Sequence, residues 1–276
     1  MSIREIFSPE NEPDNPLDFA IAEKKRRILQ VVQDALLHKR VQLAYQPIVK
    51  SSNPTVPAYY EGLIRIQNDA GQVISAKHFI ETIEDTEFGR VIDCLSLELG
   101  LKALRISPDL RLAINMSAKS IGHVRWIETL DDALTNSPEI ANRLILEITE
   151  SSAMENPELV VSFMDHVHQY GVTFALDDFG SGQTCFRYLR DFFFDILKID
   201  KDFIQGVHNN ADNQVLTQAL IGIAQSFDIF TVAEGVETQE DANYLIGAGI
   251  DCMQGYYFGR PNLTPPWHSN YERQRA

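Results

Sequence analysis

The side chains most able to carry out chemistry in this sequence are acids and amides at or near the ends of short β-rich runs. A lysine lies among them, between the apolar residues Leu197 and Ile199. If a fold gathers these groups on one face, six carboxylates would repel one another strongly unless a cation neutralised them. Oxygen ligands favour hard ions such as Mg²⁺ or Mn²⁺ over zinc. The candidate set is Glu61, Asn115, Glu147, Asp177, Asp178, Lys198, Asp200, Glu234 and Gln254.

Asp177 and Asp178 are adjacent, and consecutive residues of a regular strand point to opposite faces of a sheet. Both carboxylates can face one site only if the chain turns there, and Phe179-Gly180-Ser181-Gly182 supplies glycines for a turn. Asp177 would then bridge two ions while Asp178 serves the second. An Asp-Asp pair before a glycine turn is also common in ordinary loops, and taken alone the pair favours that simpler interpretation.

Two cations are expected near these acids. Lys198 is either an ion-pair partner of the carboxylates or a donor that positions a water molecule. Surrounding carboxylates raise the pKa of a lysine, which favours water positioning over proton abstraction. Glu61, Leu63 and Arg65 alternate with period two and share one face of a strand, so an acid lies beside a cation, as a metal-bound phosphate would require.

The elements that must position these residues alternate between strand-like and helical patterns, which predicts a (β/α)₈ or TIM barrel. A doubly wound open sheet is the structural alternative. Only residues 50–58 separate the first two runs, too few for a crossover helix, so the first strand is expected to be antiparallel to the others. The runs are Gln42–Val49, Tyr59–Gln67, Leu112–Met116, Leu144–Thr149, Val172–Asp177, Ile196–Asp200, Ile229–Glu234 and Asp251–Tyr256.

We divide the chain into an N-terminal leader with an amphipathic helix (residues 1–40), the barrel (41–265) and a C-terminal tail (266–276). The helical pattern begins at Ala20 and predicts a helix that packs on its own domain. A signalling helix or dimer contact is the alternative.

Charge and composition exclude several classes of protein. The 276 residues carry a formal net charge of −15, which disfavours binding to a nucleic-acid polymer or to anionic lipid. No apolar stretch approaches the roughly 18 residues needed to span a bilayer, and residues 1–16 lack the apolar segment of a secretory signal. We therefore expect no membrane insertion and a cytoplasmic location. Cys94, Cys185 and Cys252 form no CxxC pair, which predicts reduced thiols.

An ordered set of motifs resembles the EAL family of cyclic di-GMP phosphodiesterases over roughly residues 40–262. One such motif would be weak evidence, whereas the ordered set is highly specific. The motifs are Tyr45-Gln46-Pro47-Ile48-Val49, Glu61-Gly62-Leu63-Ile64-Arg65, Asn115-Met116-Ser117, Glu147-Ile148-Thr149-Glu150, Asp177-Asp178-Phe179-Gly180-Ser181-Gly182, Leu197-Lys198-Ile199-Asp200, Ala233-Glu234-Gly235-Val236-Glu237 and Gln254-Gly255-Tyr256-Tyr257-Phe258-Gly259-Arg260-Pro261.

The resemblance implies a modified TIM barrel that hydrolyses cyclic di-GMP to linear pGpG with two Mg²⁺ or Mn²⁺ ions. It implies that Lys198 orients or activates the attacking water, with Glu61, Glu150 and Glu234 as further catalytic residues. Glu150 would hold the Asp-Asp-Phe-Gly loop, although an exposed glutamate at a helix start is the simpler interpretation. The implied first-metal ligands are Glu61, Asn115, Glu147 and Asp177, and the second-metal ligands are Asp177, Asp178 and Glu234. The implied substrate contacts are Gln46, Leu63, Arg65, Asp200, Gln254 and Pro261.

The sequence departs from the family pattern at three places, of which the third bears on regulation. Gly62 stands where alanine is usual and loosens the backbone beside Glu61. Ser181 replaces threonine but keeps its hydroxyl, and residues 183–186 depart from the usual tyrosine and paired serines beside a loop thought to couple dimerisation to activity. Phe192-Phe193-Phe194 is either a partner patch or, as we expect, a segment with at least two rings packed inward.

Two other functions remain open besides hydrolysis. A catalytically silent cyclic di-GMP receptor would bind the dinucleotide and signal to a partner, although such receptors normally lose metal ligands and this chain retains every ligand-type residue. An enolase-like lyase rests on fold analogy alone. A homodimer is the expected assembly if the chain is not a monomer.

Overall fold

The computed structural model describes residues 15–180, 190, 192–265 and 267. Within these residues eight strands close into a barrel, because β1 pairs with both β2 and β9 at the two ends of the strand order. A short ninth strand, β3, pairs with the end of β2 outside this ring. The strands are β1 (Val41–Lys50), β2 (Asn53–Gln67), β3 (Val73–Ser75), β4 (Leu112–Asn115), β5 (Leu144–Thr149), β6 (Thr173–Phe179), β7 (Ile196–Ile199), β8 (Phe230–Ala233) and β9 (Cys252–Gln254).

The first strand is antiparallel to both of its neighbours, as predicted. β1 runs antiparallel to β2 and to β9, while the strands from β4 to β9 pair with one another in parallel. The β1–β2 turn is tighter than expected, because β2 already begins at Asn53. The modified TIM barrel is therefore confirmed, and the doubly wound open sheet is wrong because the sheet closes.

Helices cover the outside of the barrel between successive parallel strands. The longest in the middle of the chain buries one side against the sheet through Ile92, Leu97 and Leu101. The helices are α1 (Pro16–Leu37), α2 (Ile80–Ile83), α3 (Glu87–Ile106), α4 (Val124–Asn136), α5 (Pro138–Ala141), α6 (Glu150–Glu155), α7 (Pro157–His168), α8 (Lys201–Ile204), α9 (Ala211–Ser226) and α10 (Gln239–Ala248), with 3₁₀ turns at Ala76–His78, Ala118–Gly122 and Val207–Asn209.

Helix α1 packs on the barrel domain by its second half. It begins at Pro16, earlier than the predicted Ala20, because the Asn15 side chain accepts hydrogen bonds from Leu17 N (2.9 Å) and Asp18 N (3.0 Å). Leu29, Val32 and Ala35 are buried. This supports packing on the chain's own domain, although the first turns of the helix remain exposed. Among the described residues, no helix combines the length and the apolar character that crossing a bilayer requires.

Candidate active site

Strand alternation explains why the candidate residues share the inner wall of the barrel. On the parallel strands an apolar inward residue is followed two positions later by a polar one, as with Ile145 and Glu147 on β5. In antiparallel β1 the order is reversed, so Gln46 precedes Ile48. Reversing the first strand therefore keeps its amide at the same end of the barrel as the acids.

The strand registers divide the barrel interior into four layers. Because barrel strands are tilted, inward residues from alternate strands lie at one level. From the C-terminal ends of the parallel strands downward, we call them the mouth layer (Gln46, Asn115, Asp177, Glu234), the lysine layer (Glu61, Glu147, Lys198, Gln254), the alanine layer (Ile48, Ala113, Ala175, Val232) and the base layer (Tyr59, Ile145, Ile196, Cys252).

Lys198 lies at the centre of the acidic residues and is completely buried. Its Nζ is 2.8 Å from Glu234 Oε1, 2.9 Å from Asp177 Oδ1, 3.1 Å from Glu147 Oε2 and 3.8 Å from Glu61 Oε2. Burial alone would lower its pKa, but Asp177 and Glu147 lead the carboxylates that outweigh burial and hold the pKa well above its ordinary value. The ammonium group therefore stays charged and donates hydrogen bonds, in agreement with the preference for a positioning role.

A chain of amides fixes Glu61. Asn115 Nδ2 donates to Glu61 Oε1 at 2.8 Å, and Gln254 Nε2 donates to Glu61 Oε2 at 2.6 Å. Gln254 Nε2 also lies 3.2 Å from Gln46 Oε1, and Gln46 in turn donates to the carbonyl of Gly259 at 3.1 Å. Burial would raise the pKa of Glu61, but Lys198 and these amides outweigh it and lower the pKa below its usual value. Glu61 is therefore held ionised and in one orientation.

Asp177 and Asp178 both face the mouth because the backbone turns at Asp178 itself. Asp178 has a φ of +54°, in the left-handed region that an aspartate tolerates better than most residues. The β6–β7 register shifts between Leu176 and Phe179 at the same point. The expected turn at Gly180 thus comes two residues earlier, inside the end of β6. One carboxylate oxygen each from Asp177, Asp178 and Glu234 lies within 4.8 Å of the others.

Crowding of the acids raises three of their pKa values. Burial raises the pKa of Glu147 well above its ordinary value, because its effect is larger than the opposing effect of the Lys198 charge. Burial and the neighbouring Asp177 raise the pKa of Glu234 to about 8 and that of Asp178 to about 6. A single lysine therefore does not fully offset this set of acids, which leaves the site suited to additional positive charge.

Glu150 is buried at the start of α6, directly after β5. Its Oε2 accepts a hydrogen bond from Gly180 N at 3.3 Å. The glutamate therefore contacts the turn that follows Asp177 and Asp178, and it is not the exposed helix-start residue of the simpler interpretation. Ser152 of the same helix accepts a hydrogen bond from Ala118 N at 2.9 Å, which ties α6 to the loop that follows Asn115.

The remaining expected substrate contacts differ in their burial and in their hydrogen-bond partners. Asp200 is buried and caps α8, accepting from Asp202 N at 2.8 Å. Arg65 donates to the carbonyl of Ile64 at 2.9 Å, and burial lowers its pKa although Glu61 opposes this. Leu63 lines the cavity beside the acids. Pro261 is half-buried next to the Tyr45–Asn262 backbone pair.

The mouth of the barrel opens into two cavities that share Glu61, Leu63, Asp177 and Asp178. We call them the large lobe, of about 690 Å³, and the small lobe, of about 330 Å³. The large lobe extends over Asn115, Ser117 and the start of α3, whereas the small lobe extends over Asp200, Glu237 and Tyr256. The acids thus lie where the two lobes join.

Sequence reasoning missed two buried charged residues on the wall of the large lobe, Arg90 and Asp93. Asp93 accepts hydrogen bonds from Ser120 Oγ at 2.5 Å and from Ser117 N at 3.3 Å. Arg90 donates to the carbonyl of Glu84 at 2.7 Å. The available signal was their position inside α3, where charged residues interrupt the apolar stripe that the helix buries.

The structure describes some of the positions that depart from the family pattern and not others. A Cβ at Gly62 would lie 2.8 Å from Ile114 Cδ1, so the small residue makes room for a core side chain. Residues 181 and 183–186, which include Cys185, lie outside the described residues. Phe192 and Phe194 are buried while Phe193 is exposed, which confirms that at least two of these rings pack inward. The thiol of Cys94 is buried and that of Cys252 is half-buried, and both are free.

The donor set fits divalent cations. Asp177, Asp178 and Glu234 offer only oxygen atoms, and Glu61, Asn115 and Glu147 add oxygen donors beside them, which is the chemistry of Mg²⁺ or Mn²⁺ sites and not of structural zinc sites. A fully buried carboxylate oxygen of Glu147, Oε1, has no hydrogen-bond partner among the described residues. A closed barrel with such a group of acids at the carboxyl ends of its strands is typical of metal-dependent enzymes.

Comparison with known proteins identifies the family. The protein-family model of the EAL domain matches residues 29–261, so this chain belongs to the EAL domain family. The cyclic di-GMP phosphodiesterase PdeF of Escherichia coli is 29% identical over 260 residues, which cover 92% of this chain and 34% of PdeF. The bifunctional diguanylate cyclase/cyclic di-GMP phosphodiesterase MucR of Pseudomonas aeruginosa is 28% identical over 247 residues, covering 88% of this chain and 36% of MucR.

A solved structure agrees with this assignment. The PaMucR phosphodiesterase in its c-di-GMP complex superposes with a TM-score of 0.74 at 27% identity, covering 86% of this chain and 97% of that chain. This chain therefore spans about a third of the length of the curated relatives, and it matches nearly the whole of the phosphodiesterase unit in the solved complex.

Proposed function

We propose that this chain hydrolyses one phosphodiester bond of cyclic di-GMP, giving linear pGpG, with two Mg²⁺ or Mn²⁺ ions. The observation that carries the proposal is the intact ring of oxygen donors around Lys198. Relatives named as cyclic di-GMP phosphodiesterases support the choice of substrate.

The first ion would be held by Glu61, Asn115, Glu147 and Asp177, and the second by Asp177, Asp178 and Glu234. A bound pair of divalent ions lowers the pKa of water and stabilises charge on both oxygens of an in-line displacement. Such ions also satisfy the acids whose pKa values are raised when Lys198 is their main cation. The protein then needs no nucleophile of its own.

Lys198 and Arg65 supply the positive charge that this chain itself brings to the reaction. The carboxylates around Lys198 hold its pKa well above the ordinary value. Its ammonium group orients the attacking water by donating a hydrogen bond. Arg65 contacts a phosphate at the edge of the acids. Glu150 keeps the Asp178 turn in place through Gly180 N.

The cavity supports a substrate with two similar halves. The large and small lobes meet at Glu61, Asp177 and Asp178. A cyclic dinucleotide lying across the mouth would place one nucleotide in each lobe and a phosphate over the acids. Gln46, Leu63, Gln254 and Asp200 line or border the small lobe, and with Pro261 they are the proposed nucleotide contacts.

A catalytically silent receptor is the second candidate, and one observation favours it. Lys198 contacts four carboxylates, so the chain itself supplies one cation to the site. A receptor could therefore bind the dinucleotide through the same lobes while leaving both phosphodiester bonds intact.

Product analysis separates the two candidates. Purified protein is incubated with cyclic di-GMP and Mg²⁺ or Mn²⁺, and the nucleotides are resolved by ion-exchange chromatography. We expect linear pGpG, no product with EDTA, and almost none from Glu61→Ala or Lys198→Ala. Lys77→Ala, which removes an exposed lysine, is the matched control and should retain full activity. Binding of cyclic di-GMP without turnover under either metal would favour the receptor.

Three further expectations stand as proposals. The division at residues 40 and 265 would be tested by limited proteolysis, a homodimer by light scattering, and a cytoplasmic location by cell fractionation.

A further inference from the structure

Tyr59 carries the only hydroxyl group of the base layer, and no hydrogen bond among the described residues accounts for that group. The residue is buried, with a relative exposure of 6%. Its Oη is shielded from solvent and finds no hydrogen-bond partner among the described residues. Buried hydroxyl groups in proteins nearly always have a partner, either protein or ordered water.

The layer above Tyr59 carries short side chains on two of its four strands. Two of the four residues in the alanine layer are Ala113 and Ala175, and Ala113 belongs to β4, which pairs directly with the strand of Tyr59. These short side chains fill less of the space between the base layer and the lysine layer than larger residues would. The electrostatic surroundings agree, since burial raises the pKa of Tyr59 and the next largest contributions come from Glu147 and Lys198.

Two polar atoms of the lysine layer are also without a partner. Glu147 Oε1 and Gln254 Oε1 are buried and have none among the described residues, while Glu147 Oε2 accepts from Lys198 at 3.1 Å. No direct bond joins Tyr59 Oη to either atom. Buried waters typically make about three hydrogen bonds to such groups.

We propose that an ordered water molecule links Tyr59 Oη to Glu147 Oε1 inside the barrel, and that Tyr59 is a positioning residue for Glu147. The water would hold the Glu147 carboxylate from below and so fix its orientation beside Lys198. Outer partners of this kind fix the orientation of metal-binding carboxylates, and their loss typically weakens metal affinity or activity by about 10-fold to 100-fold. The inference rests on the proposed metal centre.

The two adjacent tyrosines of β2 give a matched pair of variants. Tyr59→Phe removes the hydroxyl inside the barrel. Tyr60→Phe removes the same atom from the neighbouring residue, whose ring packs outside against Trp267 at 4.6 Å between centroids. Mn²⁺ affinity is measured without nucleotide, from the free-ion signal in electron paramagnetic resonance. Tyr59→Phe should bind Mn²⁺ about tenfold more weakly, and Tyr60→Phe should remain within about twofold of the unsubstituted protein.

A high-resolution crystal structure of the unsubstituted protein gives a second test that does not depend on either variant folding. It should show a water within hydrogen-bond distance of both Tyr59 Oη and Glu147. An empty space at that position, or equal Mn²⁺ affinity for Tyr59→Phe and Tyr60→Phe, would overturn the inference while leaving hydrolysis intact. Mn²⁺ binding with the expected difference but no pGpG would support the inference and defeat the proposed function.

Discussion

Gly62→Ala should destabilise the protein, although it restores the residue that is usual in the family motif. The new Cβ would lie 2.8 Å from Ile114 Cδ1 and 3.3 Å from both the carbonyl oxygen of Ala113 and Leu43 Cδ1. Ile114 has little room to move, because the same Cδ1 atom also packs against Gly100, where an added Cβ would lie only 2.5 Å from it. The two glycines therefore enclose one isoleucine.

The size of the effect follows from overpacking. An extra methyl group in a filled core typically costs about 1–3 kcal/mol, and a Gly→Ala change regains roughly 0.4–1 kcal/mol from the unfolded chain. A net loss of about 1–2 kcal/mol is expected. Ile114→Val removes Cδ1 and costs about 0.5–1.5 kcal/mol alone, so the double variant should lose less than the sum of the two single changes.

Urea unfolding of the two single variants and the double variant measures this coupling under conditions where refolding is complete. Gly222→Ala is the control, because no atom lies within 4 Å of its added Cβ and helix α9 should gain up to about 1 kcal/mol. The coupling energy should be about 1 kcal/mol or more in favour of the double variant. Strict additivity, or a Gly62→Ala protein as stable as the parent, would refute the packing argument.

Three other predictions address the site and its supports. Lys198→Met should abolish pGpG formation and lower the unfolding temperature without metal, because four buried or half-buried carboxylates lose their cation. Calorimetry should show Mn²⁺ restoring part of the loss. An unchanged unfolding temperature would contradict this. Glu150→Ala should reduce turnover by about tenfold or more in a steady-state assay, and full activity would remove its role in holding the turn. Burial would raise the pKa of Asp241, but hydrogen bonds from His208 and Thr238 outweigh it and keep the pKa below its usual value. The resulting stabilisation is present at neutral pH and is lost as pH falls through that lowered pKa. Urea unfolding should therefore show Asp241→Asn less stable than the parent by about 2 kcal/mol at pH 7. The difference in stability should be smaller near pH 3.

The barrel could be predicted because its signals are local. Short β-rich runs with polar residues near their ends recur along the chain, and the short connection after Val49 leaves room only for an antiparallel pair. Period-two alternation then places Glu61 and Arg65 on one face of β2. Most of the site follows once the barrel is assumed, because parallel strands end on the same face.

Other features depend on contacts between distant segments and therefore left little trace in the sequence. Asp178 adopts a left-handed conformation at the point where the register between β6 and β7 shifts, so the turn precedes the glycines that suggested it. In the sequence, glycine in place of the usual alanine at position 62 indicates only a loosened backbone. Its packing role becomes visible once Ile114 and Gly100 are placed beside it. Burial of Asp93 beside the cavity depends on how α3 rotates against the barrel.

The two-metal arrangement around Lys198 is tested most directly by anomalous diffraction from crystals soaked in Mn²⁺. Two anomalous peaks about 4 Å apart are expected, one within coordination distance of Glu61, Asn115, Glu147 and Asp177 and the other near Asp177, Asp178 and Glu234. A fully occupied crystal with no peak among these residues, and Lys198 still in contact with all four carboxylates, would contradict the account.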